Sequence, residues 1–275
     1  MITLKYMKEF FQPKIEPKIE EKKKEKIKNK EIAELRKSIQ ELLLQLREKI
    51  DKGEYNLIIG EDASGRIPTL IFERILRSVY REKNYPQPEV RFFAGLHGLV
   101  DEETLLIDVE LTKEIMNNKA GKISEYLNKT IKKIKRETKI QEPKALVCTE
   151  YISTGISLKP LSMALEKEYI DFDIATIGTD LESTDLSRTE EYLNGEIFYG
   201  QVEVPEIFEY EVSGFSGVEK KPWELFSEPI KKRPIKTPLG GIEKPARIQK
   251  TIQEAREDVR ILADELIGWY KKAGS

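Results

Sequence analysis

The sequence predicts an α/β protein built on an open, mostly parallel sheet flanked by helices. Three observations predict it. Short apolar runs of strand type recur at 55–60, 90–95, 144–151 and 171–180. Between most of them lie stretches with apolar residues three and four apart, the rhythm of a helix with one buried face. At two strand-to-helix junctions stand small, turn-forming residues. A strand, a helix and a strand in succession make a unit whose strands run parallel, because the chain has to cross back over the sheet.

The elements follow in order. Residues 12–31 are rich in Lys and Glu, with two short PKIE units. They hold too little apolar surface to offset the ordering of their own backbone, so 1–30 reads as a charged, solvated arm. From Glu31 to Lys52, Ile32, Leu35, Ile39, Leu42, Leu43, Leu46 and Ile50 mark an amphipathic helix that stops at Gly53. The run 55–60 is the first strand. Pro68 then sits near the start of a helix carrying Ile67, Leu70, Ile71, Ile75, Leu76 and Val79. The run 90–95 is the next strand. Residues 105–109 fit either a short strand or a helix start, and 113–138 read as a helix whose lysines form a solvated face. The strand 144–151, a helix over 157–169 and the strand 171–180 complete the alternation. Residues 195–200 suggest one more strand, and 213–241 form a Pro/Gly-rich meander. A last helix spans 244–272, with Ile248, Ile252, Ala255, Val259, Leu262, Leu266 and Trp269 in rhythm. It packs on the body or forms a homodimer seam. The organisation is therefore an arm at 1–30, a main domain at 31–235, and a linker with its helix at 236–275.

Composition narrows the function. The chain has 275 residues, with 47 Lys+Arg, 49 Asp+Glu, one His and one Cys. One Cys excludes an internal disulfide, and Cys148 with His97 cannot supply a four-ligand zinc site. The single His97 is the only one a His-based triad could use. The balanced charge makes nucleic acid an improbable partner for the molecule as a whole and leaves only a local patch open. No run approaches the ~20 apolar residues of a membrane span, and residues 1–11 lack a signal-peptide core. A soluble cytoplasmic protein is the expectation.

The chemistry concentrates at two strand–loop–helix junctions. In ALVCTEYISTGISL (145–158) an apolar strand ends in an acid, and a loop of small hydroxyl residues opens a helix. Such a loop suits a phosphate: backbone N–H groups point outward, Gly155 permits close approach, and Ser153, Thr154 and Ser157 offer hydroxyls. The plain alternative is a helix cap by Ser153 or Ser157. The first junction, YNLIIGEDASGRIPT, has the same form. Here Asp62, Ala63, Ser64, Gly65 and Arg66 make a small-residue turn ending in a cation.

These two segments resemble the phosphoribosyl-diphosphate (PRPP) signature and the pyrophosphate loop of type I phosphoribosyltransferases. Leu146, Val147 and Cys148 match the signature's strand, Thr149-Glu150 its acidic pair, and Ser153-Thr154-Gly155-Ile156-Ser157 its loop. The resemblance covers about 31–230, with the specific matches in the two loops. It implies a phosphoribosyltransferase fold with a C-terminal hood. It implies that Ser153–Ser157 hold the 5′-phosphate of PRPP or a nucleotide, that Glu150 binds the ribose hydroxyls, and that Ser64, Gly65 and Arg66 hold the diphosphate. Transfer to a small base with release of pyrophosphate follows, with Mg²⁺ carried on PRPP or pyrophosphate rather than bound directly by the protein. Phe198, Tyr199, Phe215 and Trp223 are hood aromatics able to stack on a base, and His97 lies between two glycines after the second strand. The sequence departs from the signature at Thr149, where the family usually has an acid; Asp62, or Glu61 beside it, is the candidate to compensate. If the missing acid limits activity, Thr149→Asp should raise turnover. The alternative is a non-catalytic relative that senses PRPP or a nucleotide and regulates a partner.

Overall fold

The computed structural model describes residues 26–61, 65–93, 109–152, 155–179, 193–201, 218–219, 228–229 and 245–274. Helices α1 (Lys30–Gln45) and α2 (Arg47–Asp51) precede strand β1 (Tyr55–Glu61) and helix α3 (Arg66–Glu82). Strand β2 (Glu89–Phe93), helix α4 (Val109–Thr138) and strand β3 (Lys144–Ile152) follow. A 3₁₀ turn at Ile156–Leu158 leads into α5 (Lys159–Lys167), then β4 (Asp171–Thr179) and β5 (Glu196–Gln201). Two short antiparallel strands, β6 (Val218–Glu219) and β7 (Glu228–Pro229), precede the last helix, α6 (Pro245–Lys272).

The five main strands form one sheet in the order β2-β1-β3-β4-β5, and every pair is parallel. The strands are apolar on both sides because helices cover both faces. On one face, Tyr55, Ile58, Leu146 and Cys148 pack with residues of α1, α3 and α6. On the other, Leu57, Ile59, Ala145 and Val147 pack with α4 and α5. The alternation along β3, and along β1 from Leu57 onward, is the period of two of a pleated strand, and a register irregularity between Tyr55 and Leu57 puts Tyr55 on the same face as Ile58. The α/β class and the parallel sheet are as the sequence predicts. The segment expected to form a hood falls almost wholly outside the described residues, as do most of 1–30 and the 105–108 stretch.

The terminal helix packs on the body. Ala255, Val259, Leu262 and Leu266 enter the core shared with α1 and α3. Its Asp258, 1% exposed, also does work that α1 cannot do for itself. No side chain of the α1 N-terminus caps it. Instead Asp258 accepts hydrogen bonds from the backbone N–H of Lys28 at 3.0 Å and of Asn29 at 2.8 Å. These donors are otherwise orphaned at a helix start, and a carboxylate there also meets the positive end of the helix dipole.

The amino ends of the strands are tied by a buried ionic cluster. Asp173 on β4, 2% exposed, accepts from the Tyr55 hydroxyl at 2.6 Å and from Lys49 Nζ at 2.9 Å. Lys144 Nζ lies 3.1 Å from the same oxygen. Burial, and then the bond to Asp173, push the Tyr55 phenol pKa up. Asp173→Asn keeps the shape but removes the charge facing two lysines. It is expected to cost about 2 kcal/mol, read as a lower urea midpoint at unchanged slope.

Candidate functional site

Winding reverses between β1 and β3. The link from β1 to β2 runs through α3 on one face; the link from β2 to β3 runs through α4 on the other and passes β1 to its far side. Loops leaving neighbouring strands at such a reversal part to opposite faces, and a crevice opens at the carboxyl ends of the strands. Both sequence-predicted loops leave the sheet there, one after Glu61 and one after Ile152.

Glu61 ends β1 one position beyond the Gly60–Cys148 pair, so Thr149 faces it across the ladder. The Thr149 hydroxyl donates to Glu61 Oε2 at 3.0 Å, with both residues buried, 0% and 3% exposed. Glu150, the next residue, is 7% exposed, and strand alternation sends its side chain toward the α3 side. Two carboxylates therefore flank the end of β3 from opposite faces of the sheet, Glu150 toward α3 and Glu61, beside Thr149, toward α4 and α5. The Thr179 hydroxyl donates to the Ile152 carbonyl at 2.9 Å and pins the strand where the second loop departs.

Gly65 closes the first loop. Its N–H donates to the Glu61 carbonyl at 2.7 Å. An added Cβ would lie 2.3 Å from the Cys148 carbonyl oxygen and 2.6 Å from backbone atoms of Glu61. The requirement is for closeness, since φ is an ordinary −79°. Gly65→Ala therefore pushes the turn off the strand ends. It is expected to cost about 2 kcal/mol, measured by urea unfolding. Gly155 begins the second loop's described part in the left-handed region at φ +75°, which a side chain would strain. Ile156 and Ser157 follow, half-buried, in the 3₁₀ turn. The Arg66 guanidinium lies 5.0 Å from the Phe92 ring centroid, at the edge of the crevice beside β2.

Of the sequence-predicted residues, the structure brings together Gly65, Arg66, Thr149, Glu150, Gly155, Ile156 and Ser157 around the ends of β1 and β3. Asp62, Ser64, Ser153, Thr154, His97, Phe215 and Trp223 lie outside the described residues. Phe198 is in the core, with Lys49 Nζ 4.8 Å from its ring, and the Tyr199 carbonyl accepts from Gln45 Nε2 at 2.8 Å. Cys148 is fully buried, and burial pushes its thiol pKa well up despite a hydrogen bond with Thr69. That thiol is inert. The residue underrated from sequence is Glu61. Its signal was available: it shares the parity of Leu57 and Ile59, the face to which Thr149 also belongs.

No family model matches the chain, and no curated protein matches it. The chemistry therefore rests on the crevice. The crevice offers two buried carboxylates at the strand ends, a turn that Gly65 holds close to β1 and β3, and an arginine at the edge.

Proposed function

We propose that the crevice between β1 and β3 binds PRPP or a nucleotide and that the protein transfers a phosphoribosyl group to a small base. The observation that carries this is the Thr149–Glu61 hydrogen bond. It sets a buried carboxylate beside the one position where the PRPP-like segment lacks an acid, so the acidic pair is made by two strands instead of one.

In this reading Ser153–Ser157 hold the 5′-phosphate, and Gly65 and Arg66 the diphosphate. A base nitrogen attacks the anomeric carbon, the bond to the diphosphate oxygen breaks, and its electron pair leaves with pyrophosphate. Glu150 and Glu61 stabilise the positive charge that develops on the ring, which fixed carboxylates do well in a site closed to water. The chain's contribution is position and charge. Mg²⁺ would be brought in on PRPP and not held by the chain itself; when bound, that ion would offset the charge of the leaving diphosphate.

Calorimetry with PRPP and Mg²⁺ tests the reading on the wild type and Gly155→Asp. The wild type is expected to bind. The variant is expected to lose at least about tenfold, since it strains a left-handed turn and adds a negative charge to a phosphate loop. No heat from the wild type sinks the reading. Binding without pyrophosphate release across a panel of bases assigns the non-catalytic, sensing role instead.

A further inference from the structure

A groove of about 730 Å³ runs between α3 and α6. Its walls carry Arg66, Arg74, Arg77 and Arg81 from α3, with Arg256 and Arg260 from α6. Only two carboxylates line it, Glu73 and Asp264, leaving four positive charges in excess on a chain of net charge −2. The local pairing does not remove that excess. Asp264 is shared between Arg74 at 2.7 Å and Arg260 at 3.3 Å, Glu73 takes Arg77 at 3.0 Å, and Glu257, just outside the lining, takes Arg260 at 2.5 Å, so three positive charges remain in excess. Arg81 and Arg256 have no ion pair among the described residues. The remainder of the lining is largely apolar: Leu70, Val259 and Ile267, with Phe92 at the Arg66 end.

The shape selects among anions. Arg74, Arg77 and Arg81 are spaced three and four apart, which puts them on one side of α3. From Arg66 to Arg81 the helix advances about 22 Å. A free mononucleotide would occupy one end and leave the far arginines without a role. A duplex keeps its bases stacked inside and offers nothing to an apolar floor. An extended single strand offers both a row of phosphates and exposed base faces. We propose that the groove between α3 and α6 binds a single-stranded nucleic acid, its phosphates on the arginines and its bases against Leu70, Val259 and Phe92. This is the local patch that the balanced total charge conceals. It does not depend on PRPP, because Arg81 and Arg256 lie outside the crevice.

Fluorescence anisotropy of the full chain with a labelled oligo-uridine of about 12 nucleotides tests it. Binding is expected at about 50 mM salt, with log K falling against log salt at a slope of about −2 to −3 for three or four phosphate contacts. The double variant Arg81→Glu/Arg256→Glu is expected to bind at least about tenfold more weakly, with the slope shallower by about 1.4. These side chains make no described ion pair, so the melting temperature should hold, and Arg81→Gln/Arg256→Gln should lose affinity in the same direction. Lys132→Glu/Lys135→Glu, exposed on α4 across the sheet, should bind like the parent. Three outcomes overturn the proposal: no binding by the wild type, an arginine variant that binds as well as the parent, or equal binding of a duplex of the same length.

Discussion

Thr149→Asp is expected to destabilise the protein by about 4 kcal/mol at neutral pH, not to raise its turnover. From sequence, the substitution restores a missing acid. In the fold, the acid is already there: the Thr149 hydroxyl donates to Glu61 at 3.0 Å in a place with no solvent exposure. An aspartate would replace that donor with a second carboxylate at hydrogen-bonding distance. Two such groups cannot both ionise, so one is forced to hold a proton. Its pKa in the folded variant is raised above the unfolded value, and folding then takes up a proton. The deficit is therefore small below the unfolded value near 4 and grows as pH rises toward the folded one. Thermal melts should show a drop on the order of 10 °C at neutral pH, narrowing as pH falls toward 5. Adding Glu61→Gln to Thr149→Asp should recover most of the loss, because the amide N–H₂ can donate to the new carboxylate. A double variant no more stable than Thr149→Asp alone would show that the two side chains do not act as a pair.

Much of the fold was legible because it is written locally. The apolar runs that became β1, β3 and β4 hold their own strand signal, and α3 and α6 hold their rhythm in consecutive turns. The two loops were legible for the same reason, each being one strand, one turn and one helix start. What could not be read depends on which strands become neighbours. The sequence does not say that β3 pairs with β1, so Glu61 and Thr149, 88 residues apart, could not be matched. Asp258 capping α1 and Asp173 gathering Tyr55, Lys49 and Lys144 are the same kind of fact. The arginine groove is a further case. Each arginine alone is an ordinary solvated helix residue, and the excess of charge exists only once α6 returns to lie beside α3.

Glu61→Gln is the sharpest test of the crevice, since it changes charge with almost no change of shape. The amide oxygen can still accept from Thr149, so the link between β1 and β3 survives, and the melting temperature should move by no more than about 3 °C. In the proposed reading, what is lost is one of the two negative charges that act on the sugar. Held in a buried site, such a charge is worth more against a cationic transition state than in water. Turnover with a productive base is expected to fall about 100-fold, and PRPP affinity by about tenfold or less, because the ring is only weakly positive before the bond breaks. That split, large in kcat and small in binding, separates a charge acting on the reaction from a merely structural one, which would lower both together or lower stability instead. Thr149→Val is its complement. It keeps the carboxylate and removes the hydroxyl that aims it, so it should lower turnover less than Glu61→Gln does. A Glu61→Gln protein with wild-type turnover would leave Glu150 as the only acid acting on the ribose, and the two-strand acidic pair would be wrong.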